Sequence, residues 1–356
     1  MIKIPNQSER SNSAEAGLTI IEVLVAMTIF IVVTGSIFGL LRVAQVSRTS
    51  VTNNVQLTKS LRLGLNLIGR DTYNAGLGYP LDENRVVLRD NRIQTLLGVP
   101  VDVNTAVDNV PPIFAGNDIT LSTFNTTPNT RTDQVTFMFK DVNFNLVGTA
   151  PRQVSSTITV NSFTAGSGVD ELTLPAGEAA KCNVNDIFLI QGDTSFTLGM
   201  VTAIGGNKLS FGGDVLGLNN PVAGGEMRSI TPKAIVRVKM ITYFVTADGV
   251  LTRREFGNVL PPGLPASGYI DEPLVYGVED FQVHYVMDDG SLVNNPSAGP
   301  DGIAGNADDD LTTLANIRQV RVTISAKTTE LDSRGVPVSS SQTATFATRN
   351  LGYEAN

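Results

Sequence analysis

Residues 17–41 read GLTIIEVLVAMTIFIVVTGSIFGLL, and this stretch decides the architecture. From residue 18 to residue 41, 17 of 24 positions are Ala, Val, Ile, Leu, Met or Phe, and residues 23–41 carry no charge. As a helix rising ~1.5 Å per residue, 23–41 would span roughly 28 Å, about the hydrocarbon thickness of a bilayer. Arg42 and Arg48 follow, at the level of lipid headgroups. Residues 1–17 are polar, with Lys3 and Arg10 balancing Glu9 and Glu15. A secretory signal places its apolar region before a small-residue cleavage site. Here the order is reversed, because the small residue, Gly17, comes first.

Glu22 is the anomaly inside the run. A carboxylate in a membrane helix is costly unless paired, which makes it a functional candidate. Cleavage after Gly17 would create a new α-amine on Leu18, four residues away. An ammonium of an adjoining subunit could then pair with Glu22, satisfying both groups and fixing the axial register of neighbouring helices.

Gly17-Leu18-Thr19-Ile20-Ile21-Glu22-Val23-Leu24-Val25-Ala26-Met27 resembles the prepilin cleavage and methylation motif of type IV pilins and type II secretion pseudopilins. The resemblance implies cleavage by a prepilin peptidase between Gly17 and Leu18, N-methylation of Leu18, and a role for Glu22 in subunit assembly. The leader, residues 1–17, is longer than the shortest in the family and ends in Glu-Ala-Gly instead of a basic residue.

Beyond the membrane segment the helical period persists. Leu57, Leu61, Leu65, Ile68 and Thr72 fall at i, i+4, i+8, i+11 and i+15, an amphipathic stripe. No proline interrupts residues 18–78, and Gly76, Gly78 and Pro80 mark a stop. Residues 18–41 are therefore expected to form a transmembrane helix and 42–78 its amphipathic continuation, one helix of roughly 55 residues. Gly35 and Gly39 form a small-xxx-small pair, open either to close helix approach or to no role at all.

The remainder reads as strands and loops. Residues 79–153 begin the head, with 81–130 irregular and a clear strand at 134–139. Residues 154–225 read as an inserted small β subdomain, with strands expected at 156–160, 171–174, 186–191, 196–204 and 208–211. Gly205-Gly206-Asn207 is a hairpin turn, lacking the spacing and following helix of a phosphate loop. Residues 226–356 supply strands at 234–245, 250–256, 277–286, 317–326 and 342–350. The expected class is α+β: a long N-terminal α-helix, half membrane-spanning and half amphipathic, packed on an antiparallel β-sheet head.

Composition narrows the chemistry. The 356 residues hold one cysteine, one histidine and no tryptophan, and the net charge is −8. Cys182 alone excludes a disulfide scaffold or a cysteine-based metal centre, and His284 alone excludes a multi-histidine site. The acidic balance argues against a broad nucleic-acid surface. No nucleophile–base pair or acid–base dyad stands out, so no enzymatic activity and no obligatory cofactor is expected. The segment Asp288-Asp289-Gly290 followed by 301–310 (DGIAGNADDD) interleaves oxygen donors with glycine. Asp301, Asn306, Asp308 and Asp310 could ligate Ca²⁺, without EF-hand spacing, or form a solvated acidic loop.

A narrower resemblance joins Gly76-Leu77-Gly78-Tyr79, the Tyr243…Leu251-Thr252-Arg253-Arg254 hairpin, Gly277-Val278-Glu279 and the terminal Arg349-Asn350. These pieces are similar to PilW-type minor pilins and also to the J-type minor pseudopilin of type II secretion. The resemblance implies a single-pass inner-membrane protein with a periplasmic head, later on the pilus at the cell surface. Its partners would be the prepilin peptidase, other major and minor pilins and the inner-membrane assembly platform. A tip adhesion or ligand-binding module is a further reading, on the 154–225 segment or the acidic loop.

Overall fold

A computed structural model describes residues 19–80, 86–89, 91–101, 108–122, 124, 131–144, 157–258, 266–306, 309–331, 336–349 and 351. The leader, Gly17, Leu18, Asp308 and Asn350 lie outside the described residues. The fold is α+β, with one long helix α1 (Ile20–Asn74) at the N-terminal side of a largely antiparallel β region. The chain divides into two units, whose boundary within α1 falls between Thr52 and Asn53.

In the first unit, α1 is apolar and uncovered. Ile20, Phe30, Ile31, Phe38 and Leu40 are all more than 60% exposed. The helix is long and apolar enough here to cross a membrane.

In the second unit α1 changes character. Leu57, Leu61, Leu65, Ile68 and Thr72, the stripe read from the sequence, are all buried. Helix exit depends on left-handed glycines: Gly76 (φ 78°) and Gly78 (φ 65°) turn the chain. Gly76 then donates its N–H to Met138 O at 3.0 Å.

The elements that follow are β1 (Val87–Leu88), α2 (Arg92–Leu97), β2 (Asp108–Asn109), β3 (Ile113–Thr120), β4 (Thr132–Lys140), β5 (Thr157–Thr159), β6 (Ser162–Ala165) and β7 (Asp170–Thr173). Next come β8 (Ile187–Gln191), β9 (Phe196–Met200), β10 (Ala203–Gly205), β11 (Lys208–Phe211), α3 (Glu226–Ile230), β12 (Ala234–Val245) and β13 (Val250–Phe256). The last are β14 (Tyr269–Tyr276), β15 (Val278–Met287), β16 (Leu292–Val293), β17 (Ile317–Leu331) and β18 (Pro337–Ala347).

The largest sheet runs β14-β13-β12-β4-β3. Its organiser is β12. Residues Val238 to Phe244 pair with β4 and Met240 to Val245 with β13, while Ala234 to Arg237 pair with β8 and Ala234 to Val236 with β5. A second sheet runs β16-β15-β17-β18, and a third, β10-β11-β7-β6, lies within residues 162–211. Two apolar cores result. The larger joins Leu57, Leu61, Leu65 and Ile68 to the first two sheets. The smaller gathers Phe144, Ile158, Leu172, Phe188, Leu209, Phe211 and Ile235.

Several elements differ from their sequence expectation. The strand expected at 196–204 is two, because the chain leaves β8 after Met200 and re-pairs through Ala203–Gly205 with β11. Strand β3 and the short helix α2 occupy part of the segment read as irregular, and β14 was not anticipated. The final strand begins earlier, at Pro337, and β17 continues to Leu331.

Between β14 and β15, Gly277 adopts φ 72° and packs so closely that an added Cβ would collide with the carbonyl oxygen of Lys327. Both effects oppose any side chain. Gly277→Ala is expected to lower unfolding stability by about 2 kcal/mol or more. Gly205→Ala, whose Cβ meets open space, should stay within about 0.5 kcal/mol of wild type. Thermal or denaturant unfolding of the two variants compares them directly.

Candidate functional site

The candidate site lies at the start of α1. Thr19 is the residue before the helix, and its side chain and backbone engage Glu22 reciprocally. Glu22 Oε2 accepts from Thr19 N at 2.9 Å and from Thr19 Oγ1 at 2.9 Å, and Glu22 N donates to Thr19 Oγ1 at 3.4 Å. This is a capping box, in which two of the orphan donors of a helix start are satisfied by the residues three apart. Thr19-Ile20-Ile21-Glu22 is the sequence signature of that motif, which gives Glu22 an intramolecular role in addition to the intermolecular one expected from the sequence. Glu22 also places negative charge at the positive end of the helix dipole. Gly17 and Leu18, the residues of the expected cleavage, precede the described chain.

The acidic loop is organised by local bonds. Asp301 accepts from Ile303 N and from Asn306 Nδ2, both at 2.8 Å. Asp310 accepts from Thr312 N at 2.9 Å and caps the 3₁₀ turn Leu311–Asn316. Among the described residues no group of three or more His, Cys, Asp or Glu side chains is placed to hold a metal ion. Asp308 lies outside those residues.

The single cysteine and the single histidine stand in different environments. Cys182 is buried, and burial, followed by the charge of Asp186, pushes its thiol up to about 12. A thiol so shifted is a poor source of thiolate. His284 sits on β15 opposite Arg321 of β17, and its Nδ1 is buried without a hydrogen-bond partner.

The buried carboxylates carry no signal in the sequence, and two of them, Asp71 and Asp133, join elements of the head. Asp71, on α1, is 1% exposed, and its Oδ2 accepts from Tyr243 Oη at 2.7 Å and Arg253 Nε at 3.3 Å. Arg253 continues to Glu255 and Glu272, at 3.0 and 2.9 Å. The β12–β13 hairpin thus presents the residues that dock the helix. Asp133, on β4, accepts from Asp118 N at 3.0 Å and from Val283 N at 2.7 Å, tying β3 and β15 to β4. Burial pushes its carboxyl up to about 7; the charges of Asp118 and Asp280 add to the rise and the two backbone N–H groups oppose it.

No protein-family model matches the chain, and no curated protein matches it.

The Asp133 shift has a defined sign. The folded state holds the proton more tightly than the unfolded chain, whose carboxyl titrates near 3.8. The stabilisation is complete below the unfolded value and is lost as pH rises through about 7. Unfolding free energy should therefore fall between pH 4 and pH 8 by about 2–4 kcal/mol from this group. Asp133→Asn should flatten that slope in denaturant titrations across the range. An unchanged slope would remove the assignment.

Proposed function

We propose that the chain is a minor pilin of PilW type. It enters the inner membrane through residues 18–41, with the head in the periplasm, and prepilin peptidase removes residues 1–17. Leu18 becomes the methylated terminus. The protein then joins the tip or priming complex of a type IV pilus with other major and minor pilins, from the inner-membrane assembly platform. The role is structural and not catalytic.

The observation that supports this most is the placement of Glu22, a single carboxylate in the first turn of an otherwise apolar, uncovered helix segment. The Thr19 cap satisfies one carboxylate oxygen but does not neutralise the charge, whereas the amine of an adjoining subunit would. The size of the head agrees with a subunit used in few copies, since a large head would crowd a repeating filament.

Two variants separate processing from assembly in cells that build the filament. Gly17→Asp should leave the leader attached, seen as an unprocessed band. Glu22→Ala should insert and be cleaved, yet be recovered in sheared filaments about tenfold less or worse, because the partner amine is left unpaired. Wild-type recovery of Glu22→Ala, or a mature-sized Gly17→Asp, would contradict the proposal. Co-purification with secretion pseudopilins and not with pili would move the chain to the J-type branch.

A further inference from the structure

Strand β18 ends its sheet on an open edge. It is the outermost strand of β16-β15-β17-β18, and its eleven residues, PVSSSQTATFA, carry no charge. Thr348 N donates to Arg318 O at 2.9 Å, and the hydroxyls of Thr343 and Ser341 meet those of Thr323 and Ser325. An antiparallel ladder alternates, so this register turns the main-chain N–H and C=O groups of Ser339, Ser341, Thr343, Thr345 and Ala347 away from β17. All five residues are exposed. Among the described residues their outward main-chain groups make no hydrogen bond. They form a row roughly 27 Å long.

Other edges of the head are guarded. On β14, which carries Asp271 and Glu272, the bond from Gly257 N to Gly268 O sets the alternation so that Pro273 takes an outward position, where it has no N–H to offer. Strand β3 is broken by a register shift between Gly116 and Thr120, and β16, β6 and β10 have only two, four and three residues. Charge, proline, irregular register and shortness all oppose the addition of a strand. In β18 the one proline is the first residue, and none of the other guards is present.

Direction and charge define the occupant. Phe346 lies against Gly69 and Arg349 stacks on Tyr73, whereas Thr328, which accepts from Val338 N near the start of β18, shares a cleft with Leu57. Strand β18 therefore runs in the same sense as the head half of α1. A second copy adding its own β18 antiparallel would run its α1 the opposite way, which two chains entering one membrane from the same side do not do. The occupant is then a strand of a different polypeptide. Arg321, opposite Thr345 in the same register, is exposed and makes no ion pair among the described residues. Its guanidinium calls for a carboxylate on the incoming segment.

We infer that β18 accepts an extended segment of a neighbouring protein chain, antiparallel, uncharged beside the Ser and Thr row and with a carboxylate at the level of Arg321. Main-chain hydrogen bonds hold it, and the sheet grows by one strand. The inference rests on the proposed membrane entry in setting aside a second copy.

Hydrogen exchange through residues 337–347 tests it on the full-length chain, once purified alone in detergent and once recovered by a tag, with its partners, from membranes of cells that make it. Alone, the amides of Ser341, Thr343 and Thr345 should exchange freely while those of Gln342 and Ala344 stay slow; in the recovered assembly the first three should slow about tenfold or more. Thr343→Pro removes only an outward N–H and should melt as wild type does, yet recover the partner about tenfold less. Thr343→Val, which keeps that N–H, should recover it fully. If Thr343→Pro melts lower, Ser341→Lys takes its place. Free exchange of the three amides in the assembly, recovery of the chain alone, or equal partner recovery by the Pro and Val variants would overturn the inference. So would a differently tagged second copy whose co-recovery is lost in Thr343→Pro. The mass of the same sample reports separately on the pilin reading: retention of residues 1–17 contradicts that reading and leaves the exchange result in force.

Discussion

The head depends on one buried carboxylate. Asp71 sits on the inward face of α1 among Leu65, Ile68 and Thr72, where an unpaired charge would be expelled. It is tolerable because Tyr243 of β12 and Arg253 of β13 both reach it, and because Arg70, its chain neighbour, covers the other oxygen at 3.0 Å. The hydrophobic stripe supplies most of the attraction between helix and sheet, but apolar contacts tolerate sliding. A charge with directional partners does not. Asp71 selects one rotation and one axial position of the helix, so the glycines that follow it, Gly76 and Gly78, emerge where β4 can accept the chain. Burial and the negative charge of Asp71 both hold the Tyr243 phenol well above its usual range, keeping it a donor.

A second constraint is the length of β12. Because its first residues pair with β5 and β8 and its later ones with β4 and β13, one strand takes part in both apolar cores. The transition is marked by Arg237, which bonds Asp141 at 2.7 Å and Asp186 at 3.1 Å and stacks on Phe144 at 4.8 Å. Burial raises the Asp186 carboxyl, and Arg237 counters it. Such a guanidinium between two carboxylates fixes geometry more than it stabilises. Arg228 does the same further on, joining Asp170 at 2.8 Å to the carbonyls of Gly166 and Pro221.

The sequence revealed what rests on local periodicity. Helix α1 and its stripe follow from spacing, and β12 and β13 agree with the runs read for them because their residues are β-branched or aromatic over long stretches. Strand β14 was hidden by Asp271, Glu272 and Pro273. Proline is acceptable there because β14 is the edge of its sheet, and an edge is a tertiary property. Asp71 and Asp133 read as ordinary surface acids, since Tyr243 and Arg253, which bind the first, and Val283, which binds the second, stand more than a hundred residues away. The Thr19–Glu22 box is legible in the spelling T-x-x-E, but the same glutamate also fits an intermolecular role, so spacing alone does not decide between them.

That box leaves an asymmetry between the two oxygens of Glu22. Both donors of Thr19 converge on Oε2, and Oε1 makes no hydrogen bond among the described residues. Capping and the proposed pairing with an outside ammonium would therefore draw on different lone pairs and need not compete. Thr19 follows the Gly17–Leu18 bond at which the proposed cleavage would fall, so loss of residues 1–17 would leave the cap in place. A newcomer would meet a carboxylate whose rotamer was already chosen, and little torsional freedom would remain to be surrendered on docking.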